Sequence, residues 1–447
     1  MTHIFHRNSR MTYPTAVGGD GPYIIDSNGK RYLDASCGAA VSCLGHSNQE
    51  VRDAITKQVN QLAYAHTSFF TTDAQEKLAD FLVSKAPKGL DKVYLVSGGS
   101  EAMEAAIKMA SQYWQEVGKK SKTRIIARWQ SYHGNTMGAL SAGGNKMRRA
   151  QFQSLLIEMS HIDPVYDYRY KNENETEEQF GIRMANQLET EIKRLGAENV
   201  AAFVAEPVVG ATLGCVPAAK GYFKRIHEIC DQNEVLLILD EVMCGMGRTG
   251  TLFAAEQEGI TGDLIAIAKG LGAGYQPIGA LMVQGYIHEA IKAGSGFFQH
   301  GHTYLGHAVA CAASLKVQEV IQRDNILHNV QTTGEALMHA LQSEFGNHEF
   351  VGQVRGRGMF IGMEFVQDKA TKAAFDPALK VNALIKANAL AEGLCVYGMP
   401  GTVDGRNGDH IMLATPFIIT QQHVGEIIDK LKHALNKTFD SVRAKAA

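Results

Sequence analysis

The sequence predicts an α/β protein: a large domain with a mostly parallel, doubly wound sheet, and a smaller α+β domain at the C-terminus. Between about residues 71 and 320, short apolar runs alternate with amphipathic helical stretches, the pattern of parallel strands joined by helices. Two of these runs, 235–240 and 263–268, read as strands buried on both faces. Beyond residue 322 the order of helix and strand patterns changes, which indicates a second domain.

The composition is that of an ordinary globular protein. The chain has 447 residues, 45% hydrophobic and 20% charged, with a formal net charge of −2. No run of Lys or Arg stands out, so we expect neither a nucleic acid nor a membrane surface as partner. No stretch approaches about 18 uncharged apolar residues, and the N-terminus lacks the apolar core of a signal peptide. The seven cysteines are scattered without a CxxC pair, which favours a reducing, cytoplasmic location.

The chain is predicted to divide into three segments. In residues 1–65, two short alternating runs flank Ser27-Asn28-Gly29, a hairpin signal, and a helical pattern covers about 49–62. We expect this segment to contribute to the small domain. Residues 66–325 are predicted to form the large domain and residues 326–447 the C-terminal small domain.

Each of the two buried runs ends in a charged residue. Asp240 closes the first run and Lys269 follows the second. Because ligands of open α/β sheets bind at the carboxyl ends of the strands, the two side chains are expected at one edge of the sheet. The alternative is a structural ion pair, which is common at strand ends.

A glycine-rich turn joins another predicted strand to a helix. In Ser97-Gly98-Gly99-Ser100, backbone N–H groups and the positive end of the helix dipole suit a phosphate group. The turn lacks the GxGxxG and GxxxxGK[ST] patterns, which disfavours a dinucleotide or a nucleoside triphosphate. The alternative is a glycine turn with a serine cap.

Further polar and aromatic residues follow strand candidates. Tyr132 and His133 come after a strand, where an aromatic ring can stack on a planar ligand or simply pack. Glu206 is another acid at the predicted edge. The stretch 298–307 is rich in histidine, but its H-x-H spacing has no Cys or carboxylate partner pattern, so no metal site is predicted. A phosphate cradle, a stacking ring, an acid and a lysine together suit pyridoxal 5′-phosphate.

Six motifs in order carry a resemblance that covers nearly the whole chain. They are Ser-Gly-Gly-Ser-Glu-Ala, Tyr-His-Gly, Glu-Pro-Val-Val-Gly, Leu-Asp-Glu-Val-Met-Cys-Gly-Met-Gly-Arg-Thr-Gly, Ala-Lys-Gly-Leu-Gly-Ala-Gly-Tyr-Gln-Pro-Ile-Gly and His-Gly-His-Thr-Tyr-Leu-Gly-His. The sequence resembles the class III aminotransferases, which are pyridoxal phosphate enzymes of fold type I, and looks closest to their ω-amino acid or amine:pyruvate branch.

The resemblance implies roles for the residues that would hold the cofactor. Lys269 would bind it covalently and then move a proton as general base, and Asp240 would keep the pyridine nitrogen protonated. Tyr132 and Val242 would pack on the two ring faces. The remaining cofactor contacts implied are His133, Gly99 and Ser100, with Thr303 reaching the phosphate of the other subunit. A homodimer, possibly paired into a tetramer, follows from that last contact.

The resemblance also suggests where the substrates bind, namely a small-molecule amine and a keto acid. Ala40 stands where relatives that act on aryl-alkyl amines carry Trp, which predicts a wider pocket unless Tyr64 or Phe69 fills the space. Glu206 would lie near the substrate. Arg406 falls one residue closer to Gly408-Asp409 than in the family's R-x-x-G-D motif. It is therefore either the carboxylate binder, a solvated loop arginine or a partner of Glu206.

The predicted function is transfer of an amino group from a primary amine or ω-amino acid to a keto acid, with pyruvate favoured over 2-oxoglutarate, by a ping-pong mechanism. A racemase, decarboxylase or aminomutase on the same fold is the alternative, because the cofactor motifs do not separate these reactions. A cofactor-binding sensor domain is a further alternative, which the balanced charge disfavours.

Overall fold

The computed structural model describes residues 2–446, which form sixteen strands and fourteen α-helices. The strands are β1 Ala16–Asp20, β2 Tyr23–Asp26, β3 Arg31–Leu33, β4 Leu90–Val96, β5 Arg124–Arg128, β6 Ser160–Ile162, β7 Val200–Ala205, β8 Val208–Val209, β9 Val216–Pro217, β10 Leu236–Asp240, β11 Leu264–Ala268, β12 Gly279–Gln284, β13 Val351–Arg357, β14 Phe360–Phe365, β15 Tyr397–Pro400 and β16 Asp409–Leu413. The helices are α1 Cys37–Ala40, α2 Gln49–Gln61, α3 Asp73–Lys85, α4 Gly99–Glu116, α5 Met137–Ala142, α6 Lys146–Arg149, α7 Asp167–Tyr170, α8 Glu177–Leu195, α9 Tyr222–Gln232, α10 Gly285–Ala293, α11 Ala308–Arg323, α12 Ile326–Phe345, α13 Val381–Ala391 and α14 Gln421–Ala446.

A seven-stranded sheet forms the centre of the large domain. Its strand order is β4-β12-β11-β10-β7-β5-β6. The pairs from β11 to β6 are all parallel, whereas β12 runs antiparallel to both of its neighbours. The predicted α/β class and mostly parallel sheet are confirmed, and the short strand β6 is an addition that the sequence pattern did not reveal.

The central strands are buried on both faces, as their continuous apolar sequences predict. In β10, Leu237 and Leu239 pack in a core with residues of α8 and α9, whereas Leu236 and Ile238 point into the opposite core against α4. Helices therefore cover both sides of the sheet, and polar side chains reach solvent or a ligand only where the strands end.

The parallel pairing of β10 and β11 brings the two charged strand ends together. Asp240 is the Cα partner of Ala266, three residues before Lys269. The acid and the lysine therefore lie at the same edge of the sheet, on neighbouring strands, as the sequence predicted.

A second core joins the two ends of the chain. The C-terminal sheet has the order β13-β14-β16-β15 and is fully antiparallel. Leu33, Leu44 and Val51 pack into the same apolar cluster as residues of this sheet and of α13 and α14, and Leu33 forms a parallel bridge with Leu394. Helix α11 also contributes to this cluster, so the predicted boundary near residue 325 remains a prediction.

Over residues 2–446, none of the helices combines the length and the apolar character that crossing a membrane requires.

Candidate active site

A cavity of about 480 Å³ opens at the carboxyl ends of the central strands. The large sheet supplies its floor, and segments after β4, β5, β7, β10 and β11 supply its walls. Its lining consists of Val41, Ser97, Gly98, Gly99, Ser100, Tyr132, His133, Gly134, Glu206, Val208, Gly210, Ala211, Asp240, Val242, Met243, Ala268, Lys269, Gly274, Gln276, Pro277 and Ile278. The structure thus brings together eight of the residues predicted to form the site.

Asp240 is fixed in its orientation by two hydrogen bonds. Its Oδ1 accepts from the backbone N–H of Val242 at 3.0 Å, and its Oδ2 lies 2.8 Å from Nδ1 of His133. The residue is buried, at 4% exposure. Because a buried carboxylate is stable only with such partners, these contacts hold a negative charge at the end of β10.

Lys269 lies deep in the same cavity, and its amine loses a proton at a lower pH than an exposed lysine does. Burial lowers the pKa of this amine to about 8, although the nearby Asp240 carboxylate opposes that shift. The backbone of Lys269 takes the left-handed conformation, with φ at 45°. Such strained positions cluster at functional sites, because the surrounding structure must compensate for them.

The N-terminus of the long helix α4 forms one wall of the cavity. Gly98 precedes the helix and offers no side chain to cap it, so the first N–H groups face the cavity. Gly99 is required by packing, because a Cβ there would lie 2.6 Å from Cγ1 of Val242. The Oγ of Ser100 accepts from the backbone N–H of Asn135 at 3.2 Å and lies at the same helix end.

Glu206 and His133 make contacts that hold Tyr132 and Asp240 in position. Glu206 Oε1 accepts from the backbone N–H of Tyr132 at 3.1 Å, and its Oε2 lies 3.3 Å from the Arg128 guanidinium. Burial lowers the pKa of His133, but the Glu206 and Asp240 carboxylates outweigh burial, so the pKa is raised above its ordinary value. The ring lies between the two acids, with Nδ1 2.8 Å from Asp240 and Nε2 4.0 Å from Glu206.

Five predicted site residues lie outside the cavity lining. Ala40 is buried beside Val208 and Phe360, next to the lining residue Val41. Arg406 is exposed on a loop before β16. The other three lie on the surface of this chain and are Tyr64, Phe69 and Thr303.

Those last three residues form one exposed patch. The Tyr64 hydroxyl donates to the carbonyl oxygen of Thr303 at 2.6 Å, and the Tyr64 ring packs edge-on against Tyr304 at 5.6 Å. Phe69 is 78% exposed. Within the described chain this patch is a surface feature and contributes nothing to its own cavity.

Sequence reasoning missed several lining residues. Val208, Gly210 and Ala211 follow Glu206 directly, so the strand-end rule that selected the glutamate could have found them. Met243 follows Val242 in the same way.

The cavity fits pyridoxal 5′-phosphate. The end of α4 offers N–H donors for a phosphate, and Asp240 offers a buried carboxylate for a ring nitrogen. Lys269 offers an amine with a lowered pKa for an aldehyde, and Tyr132 and Val242 offer surfaces for a planar ring. Fold and site together define a pyridoxal phosphate enzyme of fold type I.

Comparisons with known proteins give the family. The model of the class III aminotransferases matches residues 4–435. An uncharacterized aminotransferase of Schizosaccharomyces pombe is 44% identical over 98% of this chain and 95% of its own length. A diaminobutyrate–2-oxoglutarate transaminase of Halomonas elongata is 36% identical over 96% of this chain and 92% of its own length. The PMP-bound form of an aminotransferase from Vibrio fluvialis is 35% identical, with a TM-score of 0.89 over 96% of this chain and 93% of that one.

The chain belongs to the class III aminotransferases. It is an enzyme of the aminotransferase class, and its cofactor is pyridoxal 5′-phosphate, which class III aminotransferases use. Its substrates are small-molecule amines and keto acids.

Proposed function

We propose that the enzyme moves an amino group from a primary amine or ω-amino acid to a keto acid, pyruvate in preference to 2-oxoglutarate, by a ping-pong mechanism. The observation that carries the proposal is the pair formed by Asp240 and Lys269 at neighbouring strand ends, with the pKa of the lysine lowered to about 8. An amine with that pKa can both accept and return a proton near neutral pH.

The bound cofactor supplies an aldehyde for the amino group and a protonated ring that withdraws electrons from the reacting carbon. The residues of this chain hold the cofactor in position and move the proton. Lys269 moves the proton at the reacting carbon. Asp240, fixed by His133 and by the backbone N–H of Val242, presents its negative charge to the ring nitrogen. The α4 N-terminus would bind the phosphate and so fix the cofactor relative to Lys269.

Tyr132 and Val242 set the plane of the ring. The backbone of Tyr132 is tied to Glu206 at 3.1 Å, and Val242 follows directly on Asp240. Because the two side chains come from separate strand ends, they can hold a planar ring between them. With the ring plane held in this way, the Lys269 amine would move the proton of a substrate carbon–hydrogen bond perpendicular to that plane, a step that transamination requires and that racemisation shares.

The proposed assembly is a homodimer in which Thr303 reaches the phosphate of the other subunit, with pairing into a tetramer left open. It is supported by the exposed side chains of Phe69, Phe70 and Tyr304 near the half-buried Tyr64, since large exposed apolar groups gathered on one surface are typical of interfaces. A cytoplasmic location is part of the proposal. It is supported by the seven cysteines, all free thiols.

The test is a donor panel with the purified holoenzyme. Primary amines and ω-amino acids are supplied with either pyruvate or 2-oxoglutarate, and alanine or glutamate is measured. We expect alanine to form in proportion to the amine consumed, and the cofactor to change to its amine form when the acceptor is left out. Glutamate as the only product would overturn the choice of acceptor. Repeated loss of the donor beyond one equivalent per active site, or inversion of the donor, without any acceptor would overturn transamination itself and favour the decarboxylase or racemase alternative.

A further inference from the structure

Arg148 lies against the aromatic residue of the cavity. It belongs to the short helix α6, whose start is fixed by Asn145 accepting from the backbone N–H of Arg148 at 3.0 Å. The guanidinium carbon lies 4.4 Å from the centre of the Tyr132 ring, a cation–π distance. Its Nη2 lies 4.0 Å from Sδ of Met399 in β15. Arg148 therefore lies where the large domain meets the C-terminal sheet, beside Tyr132.

The guanidinium of Arg148 has no acid to neutralise it. Across residues 2–446, no Asp or Glu oxygen lies within 4.0 Å of it, and its Nε is buried without a hydrogen-bond acceptor. The adjacent Arg149 shows the contrast, because its Nη1 donates to the carbonyl oxygens of Leu140 at 3.2 Å, Ser141 at 2.6 Å and Gly143 at 2.7 Å. A buried donor without an acceptor is costly, so its retention in the fold calls for a ligand that supplies one.

The positive charge of Arg148 acts on the Lys269 amine inside the cavity. After burial, the positive charges of Arg148 and Arg248 are among the influences that lower the pKa of the Lys269 amine. Arg248 is 1% exposed and donates from Nη1 to the backbone oxygens of Met359 and Thr415, and its Nε and Nη2 are buried without an acceptor. Of these two charges, Arg148 is the one that lies against Tyr132, a residue of the cavity lining.

We propose that Arg148 binds the carboxylate of the substrates, so that ω-amino acids and keto acids are preferred over amines and aldehydes that lack this group. This inference rests on the proposed transamination and names its substrate class. The contact with the Tyr132 ring holds the guanidinium beside the cavity, and its N–H fork suits bidentate binding of a carboxylate. Arg406, the arginine suggested by the family motif, is exposed, and its backbone N–H is bonded to Asp404 at 2.8 Å.

A rival role for Arg148 is support of Tyr132 through the cation–π contact alone. In that case the loss of the charge would disturb the ring plane and slow every donor to the same extent. The two roles are separated by comparing donors that differ only in the carboxylate.

The first experiment measures the half-reaction of the holoenzyme, in which the cofactor absorption changes as the donor is consumed. Donors are a series of ω-amino acids and the matching alkylamines without the carboxylate. For Arg148→Met we expect kcat/KM to fall roughly 10- to 100-fold with ω-amino acids, since hydrogen bonds to charged groups are of that strength, and to change little with alkylamines. Arg148→Lys should recover part of the loss, because it keeps the charge and lacks the fork.

Two further variants complete the comparison. Arg194→Met changes an exposed arginine paired with Glu191 on α8 and should leave both donor classes unchanged. Arg406→Met tests the arginine of the family motif. A selective loss of ω-amino acid turnover in Arg406→Met, with Arg148→Met unaffected, would overturn the proposal. An equal loss for both donor classes in Arg148→Met would also overturn it, in favour of support for Tyr132.

The second experiment does not depend on turnover. Butanoate is titrated into the holoenzyme and its Kd is measured by calorimetry. We expect a Kd roughly 10- to 100-fold weaker in Arg148→Met than in the wild type. An unchanged Kd would overturn the proposal. If the wild type transfers no amino group from any donor, transamination fails, and the butanoate titration still decides whether Arg148 binds carboxylates.

Discussion

The buried ammonium of Lys269 makes a stability prediction for the apoprotein. Burial lowers the pKa of this amine from the ordinary value of 10.5 to about 8, which means that the folded protein disfavours the charged form. That pKa difference corresponds to about 3 kcal/mol at pH 7, where the amine is protonated in both the folded and the unfolded state. Lys269→Met removes the charge and keeps a side chain of similar length. We therefore expect the variant to be more stable than the wild-type apoprotein by up to about 3 kcal/mol.

The pH dependence follows from the same pKa values. Between about pH 8 and pH 10.5 the folded protein has lost this proton and the unfolded chain still holds it, so the free energy of unfolding of the wild type rises with pH. Above about pH 10.5 the amine is neutral in both states, and the penalty is gone. The advantage of Lys269→Met should shrink to roughly 1.5 kcal/mol at about pH 9.5 and vanish at higher pH.

The assay is urea unfolding of both apoproteins at one protein concentration, at pH 7 and at about pH 9.5. Lys57→Met, at an exposed position on α2, is the control and should show no difference that changes with pH. A Lys269→Met variant that is less stable than the wild type at pH 7 would refute the reasoning. It would show that Asp240 compensates the buried ammonium fully.

Two other predictions concern packing. Gly99→Ala should lower the free energy of unfolding by about 1–3 kcal/mol and weaken cofactor binding, because the new Cβ would lie 2.6 Å from Val242. The control is Gly18→Ala, whose Cβ meets nothing within 4 Å and which should be neutral. Urea unfolding and cofactor titration measure the two effects. Glu364 is the buried acid of two arginines, with Oε2 2.9 Å from Arg355 Nη1 and Oε1 2.8 Å from Arg169 Nε. Glu364→Ala leaves both guanidinium groups without it and should lower the free energy of unfolding by about 3–5 kcal/mol in urea unfolding. A loss below about 1 kcal/mol would show that these ion pairs behave like exposed ones.

Much of the fold could be predicted because its signals are local. The apolar runs at β10 and β11 are continuous, and a strand with no polar face must be buried on both sides, which helices on both faces of the sheet provide. The antiparallel direction of β12 could not be predicted in the same way. Its sequence is as apolar as that of its neighbours, and direction depends on how the connection from β11 returns to the sheet.

The candidate site could be predicted in part for a similar reason. Asp240 and Lys269 are charged residues at the ends of apolar runs, and that position alone places them at the ligand-binding edge of the sheet. The bond between His133 and Asp240 joins residues 107 positions apart, and no spacing rule in the sequence predicts it.

The sequence by itself determined the fold class, the order of the cofactor motifs and the acid and lysine at adjoining strand ends, because each depends on residue type and short-range pattern. Tertiary structure alone decided that Glu206 accepts from the backbone N–H of Tyr132 and that Nε of Arg148 is left without an acceptor. Both features depend on which side chains come into contact in the folded chain. A charge is paired or unpaired only through neighbours that packing brings to it from distant parts of the chain.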